Sequence, residues 1–567
     1  MKEKIWLYAL ENAVKFKGKA NPGAIIGKIL GEFPKVRKDS AKVMKEIQLI
    51  VKKVNVMSLE EQKAELEKRS PGFEKKKKKE KQKRKEIRLE LPPLPKAVAG
   101  KVITRMPPEP SKYNHVGHAM SFLINYLYAK KYKGKCILRF EDTNPMKVTQ
   151  EFIDSAKEDL LEYLEIKPNK IIFVSDDMEK LYNHAEEIIK KGKAYVCFCE
   201  RDAMQKNRMK GIECKCRKTD AKKNLEEWKS MLKGKYKEGE CILRLKGDMK
   251  HKNAVMRDPV IFRIVKKAHY KFKKKYCCWP MYDFYNAVEE EFCKITHVLR
   301  SAEFDVRVEL QDYIRKLFGY KNPQSYQYGR INIKGSTTQG REIRELIEKG
   351  AVTGWDDPRL VTLKAMRRRG FVKETFYELA VKVGLSKTQT NIDWTLLFKT
   401  NRKFLDKSAD RYFFIEEPKE IEIKNAPKQD IELHLHPEHR KGGRKFKTGT
   451  KFMIAKQDYN NIIKAKKGTV FRLMDCLNFR LEGKKFVYHS QPYSEFKESK
   501  GKIIIHWLPA DKSNIEIKIR TPENKLIKGI AESGVKKLKQ GTIVQFERFA
   551  FARLDNKKKM EFIYTHA

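Results

Sequence analysis

Residues 102–118 constrain this chain more than any other stretch. A short apolar run, Val102-Ile103-Thr104, leads into Arg105-Met106-Pro107-Pro108-Glu109-Pro110 and then Ser111-Lys112-Tyr113-Asn114-His115-Val116-Gly117-His118. A helix-like segment, Ala119 to Lys131, follows. The layout is strand, Pro-rich turn, His-x-Gly-His, helix. In open α/β sheets, ligands bind where strands give way to helices, and a helix N-terminus offers free N–H groups and partial positive charge to a phosphate. Gly117 lets a nucleotide approach the backbone. His115 and His118 can donate to phosphate oxygens as charge builds there. Alone the motif is weak, because paired histidines are more often ordinary surface residues. Its company along the chain gives it meaning.

At 567 residues the chain has room for roughly three to four domains. Its formal net charge of +51 points to a polyanionic partner, nucleic acid or an anionic membrane surface. Part of that excess belongs to a general richness in lysine. No apolar run is long enough to span a bilayer, and the N-terminus lacks a signal-peptide core. A soluble, cytoplasmic protein with nucleic acid as its polyanion and no membrane is expected.

Residues 1–63 show apolar positions at helix spacing, Leu7, Leu10, Val14, then Ile25, Ile26, Ile29, Leu30, then Val43, Ile47, Ile50, Val51, Val54. They predict a helical module broken at Asn21-Pro22-Gly23. Residues 64–98, with the basic run Lys75 to Lys79, Lys81, Lys83, Arg84, Lys85 and the closing Pro92-Pro93-Leu94-Pro95, predict a linker unable to bury a core. Over 99–196 a strand-like Cys136 to Phe140, a helical 150–165 and a strand-like Ile171 to Val174 predict a largely parallel sheet with helices on its faces.

Over 197–255, Cys197-Phe198-Cys199 and Cys214-Lys215-Cys216 bracket a basic helix-like stretch. Four thiolates can close a tetrahedral zinc site; the alternative is four free thiols. The α/β pattern resumes over 256–340, where Tyr282, Asn286 and Arg300 can line a polar pocket, although each alone is more often structural. Residues 341–405 look helical. Residues 406–567 hold many short strands, including Tyr412 to Ile415, and predict one or two β-barrels. His434, His436 and His439 read as ordinary strand and loop histidines.

Several long motifs stand in a fixed order. They are Arg105 to His118, Arg139-Phe140-Glu141-Asp142-Thr143-Asn144-Pro145, Trp279 to Ala287 with Thr296 to Arg300, and Gly354 to Leu360 with Arg367-Arg368-Arg369-Gly370. Asn401-Arg402-Lys403, Asp410 to Phe414 and Gln545 to Arg548 follow. Together they resemble the glutamyl-tRNA synthetases of the archaeal and eukaryotic type, a family of class I aminoacyl-tRNA synthetases. The resemblance implies a multidomain α/β fold. Its parts are a Rossmann-type catalytic domain, an N-terminal helical module, an inserted acceptor-end-binding region, a helical connector and a C-terminal β-barrel anticodon-binding region.

The resemblance also implies a reaction. The α-carboxylate of L-glutamate attacks the α-phosphate of ATP, and the glutamyl group then passes to tRNA(Glu). His115, Gly117 and His118 would contact ATP, with Mg²⁺ on the triphosphate. Arg105 and Arg300 would clamp carboxylates, Glu141 would hold the ammonium, and Tyr282 and Asn286 would complete the pocket. Cysteine pairs at this place in archaeal relatives strengthen the reading of Cys197, Cys199, Cys214 and Cys216 as a structural Zn²⁺ site. The N-terminal module would recruit a protein partner or add tRNA affinity.

One segment departs from the family. Its Lys-rich second signature, in this branch a form ending Ser-Thr-Ser-Lys, is here Lys334-Gly335-Ser336-Thr337-Thr338-Gln339-Gly340-Arg341-Glu342-Ile343-Arg344. The second lysine is missing, and Lys334 or Arg341 is expected to replace its charge. Three alternatives compete: a glutaminyl-tRNA synthetase, a catalytically weakened tRNA-binding paralogue, and a small-substrate nucleotidyltransferase. The glutamyl-like C-terminal segments, the intact Arg105, His115, His118 and Glu141, and the extra basic domains speak against them in turn.

Overall fold

A computed structural model describes residues 1–16, 18–33, 36, 39–70 and 90–567. The chain divides into two compact units, Met1–Leu89 and Glu90–Ala567.

The first unit holds helices α1 (Lys2–Lys15), α2 (Pro22–Glu32), α3 (Ser40–Val56) and α4 (Leu59–Arg69). Helix α2 starts where Pro fits best, with the Asn21 side chain accepting from Gly23 N at 2.8 Å. A Ser58/Glu61 capping box opens α4. Leu10, Ile25, Ile29, Val43, Ile47, Ile50, Val51 and Val54 form the core as the helix spacing predicts, joined by Ile5, Ala9 and Ala13, while the expected Leu7, Val14 and Ile26 are only partly buried. Helix α4 continues past residue 63 and adds Leu66 to that core, so the start of the expected tether is folded. The far end is folded too, since Leu91 and Leu94 are buried in the main core of the second unit. The lysine run from Lys75 to Lys85 lies outside the described residues.

In the second unit, β1 (Ile103–Met106), α5 (Val116–Lys131), β2 (Lys135–Phe140) and β3 (Lys170–Phe173) form a parallel α/β layer. The helical stretch between β2 and β3 is an α-helix, Gln150–Lys157, running into a π-helical turn, Glu158–Tyr163. A four-stranded antiparallel sheet follows: β4 (Ala194–Cys197), β5 (Ile242–Leu245), β6 (Val260–Ile264) and β7 (Cys278–Pro280). Its pairing reaches beyond 197–255 on both sides, because β4, β6 and β7 carry apolar residues that composition alone assigns to the parallel layer.

The parallel layer resumes with α6 (Tyr282–Phe292), β8 (His297–Ser301), α7 (Val308–Leu317) and β9 (Gln324–Tyr328). Thr296 joins the halves. Its N–H donates to Ile103 O at 3.0 Å, and its Oγ1 accepts from Ile103 N at 2.8 Å. Strand order is therefore β3-β2-β1-β8-β9, with sequence direction reversing between β1 and β8, the place where open α/β sheets bind ligands. Strand β10 (Ile331–Ile333) pairs in parallel with β11 (Thr390–Ile392), and helix α8 (Gly340–Glu348) lies between them in sequence. Together with α8, the helices Leu363–Arg369, Lys373–Val383 and Trp394–Leu405 make up just over half of the expected helical segment.

Beyond residue 409 the described chain is mostly strand, in two seven-stranded sheets and one hairpin. Each sheet curls until its edges nearly meet. The edges of one are Asp410–Tyr412 and Phe414–Glu416, separated by Phe413 alone. The edges of the other are Ile503–Ile505 and Leu508–Pro509, separated by His506-Trp507. Closure of this kind removes exposed strand edges. Phe413 and Trp507 are both buried, with ring centroids 6.2 Å apart.

Arg444, on the hairpin strand Arg440–Thr448, locks this corner. It donates to Glu532 Oε1 at 2.8 Å and Glu547 Oε1 at 2.7 Å, and its guanidinium lies 4.4 Å from the Phe413 ring centre. Glu532 Oε1 also accepts from Phe413 N at 2.6 Å. Arg444→Ala strands the buried Glu532 without its cation. The expected cost is about 3–5 kcal/mol, read as a lower urea midpoint for the transition that exposes Trp507.

Candidate active site

The His-x-Gly-His segment sits at the N-terminus of α5, with His115 as its cap residue. His115 Nδ1 accepts from Gly117 N at 3.1 Å, and His118 Nδ1 accepts from His115 N at 3.3 Å. The rings stack with centroids 3.7 Å apart. Because both Nδ1 atoms accept, each neutral ring keeps its proton on Nε2, free to donate to an anion. Burial pushes His115 well below the ordinary histidine range, helped by His118, Lys112 and Arg330. Burial, with Lys112, takes His118 down to about 3. Both rings are neutral at physiological pH.

A Cβ on Gly117 would lie 2.9 Å from His115 Cε1 and 3.2 Å from Ile331 O. The glycine is therefore needed first for the His115 ring and the β10 backbone to come this close. The loop is held from the other side by Val361–Leu363: Val116 N donates to Val361 O at 3.0 Å and Leu363 N to Asn114 O at 2.8 Å.

The residues expected to line an amino-acid pocket gather near the ends of β1 and β8. Arg105, on β1, is 1% exposed; its Nε donates to Glu290 Oε1 at 3.1 Å, and its Nη1 has no partner. Arg300, on β8, is buried; its Nη1 donates to Tyr282 OH at 3.4 Å, and its Nε has no partner. Glu141 accepts from Arg139 Nη2 at 2.8 Å and Tyr285 OH at 3.3 Å. Asn286 is fully buried; with Nδ2 toward Glu141 it donates to Glu141 Oε1 at 3.3 Å, and the opposite amide orientation matches its other neighbours better. In it Nδ2 donates to Glu290 Oε1 at 2.9 Å and Oδ1 accepts from Arg139 Nη2 at 2.8 Å. Burial raises the Tyr282 hydroxyl, with Glu141 adding to it and Arg300 and Arg105 opposing. The five expected pocket residues are thus neighbours.

Sequence reasoning missed the groups that hold them. Glu290 is bonded by Arg105 and Arg315, and although burial works against its charge, Arg105, Arg315, Arg139 and Arg300 hold it below the ordinary carboxylate range. The available signal was spacing, since Tyr282, Asn286 and Glu290 stand four apart on α6 and share a face. Its neighbour Glu289 is different. It is fully buried, neither oxygen has a partner, and it lines a cavity of about 580 Å³ with Ile103, Ile137, Ile172, Asp177 and Lys180. Burial pushes it up to about 8, with Asp177 and Glu141 raising it and Arg139 and Lys180 opposing.

The second-signature segment is a turn at Lys334-Gly335, an irregular stretch, and α8. Lys334 is exposed. Arg341 is bonded along its own helix to Glu345 at 3.0 Å, and its side chain is 90% exposed. Neither is among the charges acting on the histidines; Lys112 and Arg330 are. Arg344 Nη2 reaches Ser111 O at 3.3 Å, tying α8 to the His loop.

The four cysteines of the two Cys-x-Cys pairs converge, with all Sγ atoms within 4.8 Å of one another. Cys197 and Cys214 are 3.8 Å apart, and Cys199 and Cys216 are 3.9 Å apart. A tetrahedron of sulfurs around zinc has edges of about 3.8 Å, so the donor set fits. Arg244 Nη1 lies 3.8 Å from Cys197 Sγ and 3.7 Å from Cys214 Sγ, offsetting thiolate charge. Among the described residues no other cluster of this kind occurs. His436 instead bonds Asp406 O at 3.0 Å.

Comparison with known proteins gives a consistent set of matches. Residues 101–407 match the family described as "tRNA synthetases class I (E and Q), catalytic domain". Residues 409–493 and 504–555 match two families described as "tRNA synthetases class I (E and Q), anti-codon binding domain". Three curated relatives, each named "Glutamate--tRNA ligase", come from Pyrococcus furiosus, Pyrococcus abyssi and Methanocaldococcus jannaschii. The chain is 41% identical to the first over 99% of its own length and 98% of the relative. It is 40% identical to the second over the same shares, and 36% identical to the third over 100% of each chain.

Glu289 yields a stability prediction. Its folded value of about 8 lies above the unfolded value near 4.5, so the folded chain binds the extra proton. Stability is then full below pH 4.5 and is lost as pH rises toward 8, by at most about 1.4 kcal/mol per unit. Glu289→Gln keeps the shape and removes the ionisation. Its denaturation midpoint is expected to fall less than the parent's between pH 5 and 8, measured by urea titration at each pH.

Proposed function

The chain belongs to the class I tRNA synthetases of the E and Q type, and on that premise we propose that it attaches L-glutamate to tRNA(Glu), with ATP as co-substrate. The observation that carries this reading is the pair of buried arginines on adjacent strands, Arg105 and Arg300, each with one guanidinium nitrogen lacking a partner. Buried donors are rarely left unpaired. A substrate with two carboxylates supplies the acceptors.

In the first step an α-carboxylate oxygen of glutamate bonds to the α-phosphorus of ATP, and the bond to the bridging oxygen breaks, releasing pyrophosphate. In the second, the terminal ribose hydroxyl of the tRNA attacks the activated carbonyl, and AMP leaves. The residues mainly position the reactants and stabilise charge. Glu141 takes the ammonium. Arg105, Arg300, Tyr282 and Asn286 take the carboxylates. His115 and His118 donate from Nε2 to phosphate oxygens, and Gly117 keeps the His loop close to the β10 backbone. Mg²⁺ bound with ATP neutralises triphosphate charge. Lys334 and Arg341 supply loop charge to the departing pyrophosphate, Arg341 by leaving a surface ion pair worth little. Lys112 and Arg330 add charge beside the histidines.

Cys197, Cys199, Cys214 and Cys216 hold a structural Zn²⁺, with all four positions filled by protein and none open for chemistry. A cytoplasmic location accords with a tRNA substrate and with the lack, among the described residues, of a helix long and apolar enough to cross a membrane. The helical module offers a partner protein the exposed apolar residues Leu49 and Val56 of α3.

Aminoacylation with labelled glutamate, and separately glutamine, on both cognate tRNAs tests the reading. Glutamate on tRNA(Glu) is expected. Charging with glutamine alone would move the chain to the glutaminyl branch, and charging with neither would leave a tRNA-binding paralogue. Protein purified without added zinc should carry about one zinc per chain; metal-free protein whose melting is unchanged by chelator removes that assignment.

A further inference from the structure

Helix α6 places Tyr282, Asn286 and Glu290 on one face, and Glu290 and Asn286 are both sealed from open space, at 2% and 0% exposure. Its carboxylate accepts from Arg105 Nε at 3.1 Å, from Arg315 Nη2, and from Asn286 Nδ2 at 2.9 Å. The third bond has a directional consequence. With Nδ2 on Glu290 and Oδ1 on Arg139 Nη2, the Asn286 amide keeps its oxygen turned toward Arg139. The oxygen's second lone pair stays on the Arg139 side, and the nitrogen has a second N–H to give.

The other unspent groups at this end of the pocket have the same polarity. Arg105 Nη1 and Arg300 Nε are donors without partners. Tyr282 OH accepts from Arg300 Nη1, which leaves its own proton to give. A carboxylate, with acceptors only, satisfies all of them. A carboxamide sets its NH₂ donors against donors and leaves buried groups unpaired, the condition under which a site discriminates most strongly.

We propose that Glu290 is a specificity-positioning residue: by fixing the Asn286 amide and the Nε edge of Arg105, it makes this end of the pocket donor-only and so selects a carboxylate side chain over its amide. The proposal rests on the glutamate reading of the preceding section. It acts through Asn286 and Arg105 and requires no contact between Glu290 and substrate. With Glu290→Gln, the charge goes and the hold on Asn286 loosens, so the amide can turn its oxygen into the pocket and accept from a glutamine NH₂.

The test compares kcat/KM for glutamate and glutamine on tRNA(Glu) in the full-length parent, Glu290→Gln, Glu290→Asp and Asn286→Asp. Charging by the parent comes first; if it uses no glutamate, the function reading fails, and the proposal fails with it for a separately visible reason. In Glu290→Gln the glutamate-to-glutamine ratio is expected to fall about tenfold or more, chiefly through KM. Glu290→Asp, which keeps the charge, should recover part of the ratio. Asn286→Asp places an acceptor where the N–H stood and should lower the ratio with Glu290 intact, which keeps the idea testable if Glu290→Gln folds poorly by its melting curve. A pure counter-ion role predicts the opposite sign, because loss of one negative charge leaves the pocket more positive and better for glutamate. A ratio that rises or stays the same in Glu290→Gln, or in Asn286→Asp where the former does not fold, overturns the proposal.

Discussion

The residue cluster proposed to take glutamate depends on the buried contact between Arg105 and Glu290. Both side chains are 1% exposed, so neither can recover the solvation it gives up. Such a pair survives only when the carboxylate collects several donors, and Glu290 collects Arg105, Arg315 and Asn286. Around it stand four buried arginines, Arg105, Arg139, Arg300 and Arg315, against three paired carboxylates, Glu141, Glu290 and the less buried Asp312. The excess positive charge is what the proposed dicarboxylate substrate would bring into balance. Thr296 makes this arrangement possible by zipping β8 to β1, which sets Arg300 and Arg105 toward the ends of neighbouring strands.

The same helix shows how far environment outweighs residue type. Glu289 and Glu290 are adjacent and equally sealed from water, yet one is driven up to about 8 and the other is held below the ordinary range. Burial raises both; only Glu290 has guanidinium groups close enough to reverse it. The histidines follow the same rule with opposite charge. Burial beside Lys112 and Arg330 keeps them neutral, and the backbone N–H bonds at Nδ1 choose the tautomer. A neutral donor at the N-terminus of α5 is ready for a phosphate without having to lose a proton or a counter-ion first.

Much of this was legible in the sequence because the informative residues cluster in short runs. Arg105 to His118 and Arg139 to Glu141 each read as one strand-to-loop unit, and the helix spacing of the first unit picked out much of its core but not Ile5, Ala9 or Ala13. What escaped was long-range. Nothing local says that Arg315 and Glu290 meet, or that Thr296 pairs with Ile103, because those bonds join segments set together only by the fold. Leu91 and Leu94 were assigned to a tether because prolines surround them, yet their side chains are buried in the core. Tyr412 to Ile415 looked like one strand, but Phe413 breaks it, and that break is where the sheet closes. Gln545 to Arg548 carried a family resemblance; its Glu547 and Arg548 bond Arg444 and Asp458, which is a packing role.

The run Arg367-Arg368-Arg369 shows why net charge is a poor guide to where nucleic acid touches. Arg367 bonds Glu158 at 2.8 Å. Arg368 grips Asp555 with two nitrogens, at 3.0 and 2.7 Å, and reaches Asp356 with a third. Arg369 is buried, donates to Thr565 O at 3.2 Å and lies 4.7 Å from the Trp394 ring centre. Gly370 follows with φ of +98°, and a Cβ there would meet Thr565 Oγ1 at 2.6 Å. This most basic of the motifs is therefore a joint between the helical connector and the last strands of the chain. A planar guanidinium suits that task, since it can bond a carboxylate at two points and stack on an aromatic ring. The same joint sits directly after Val361–Leu363, which clamps the His loop. The C-terminal sheet and the His-x-Gly-His loop are thus joined through one short helix, Leu363–Arg369.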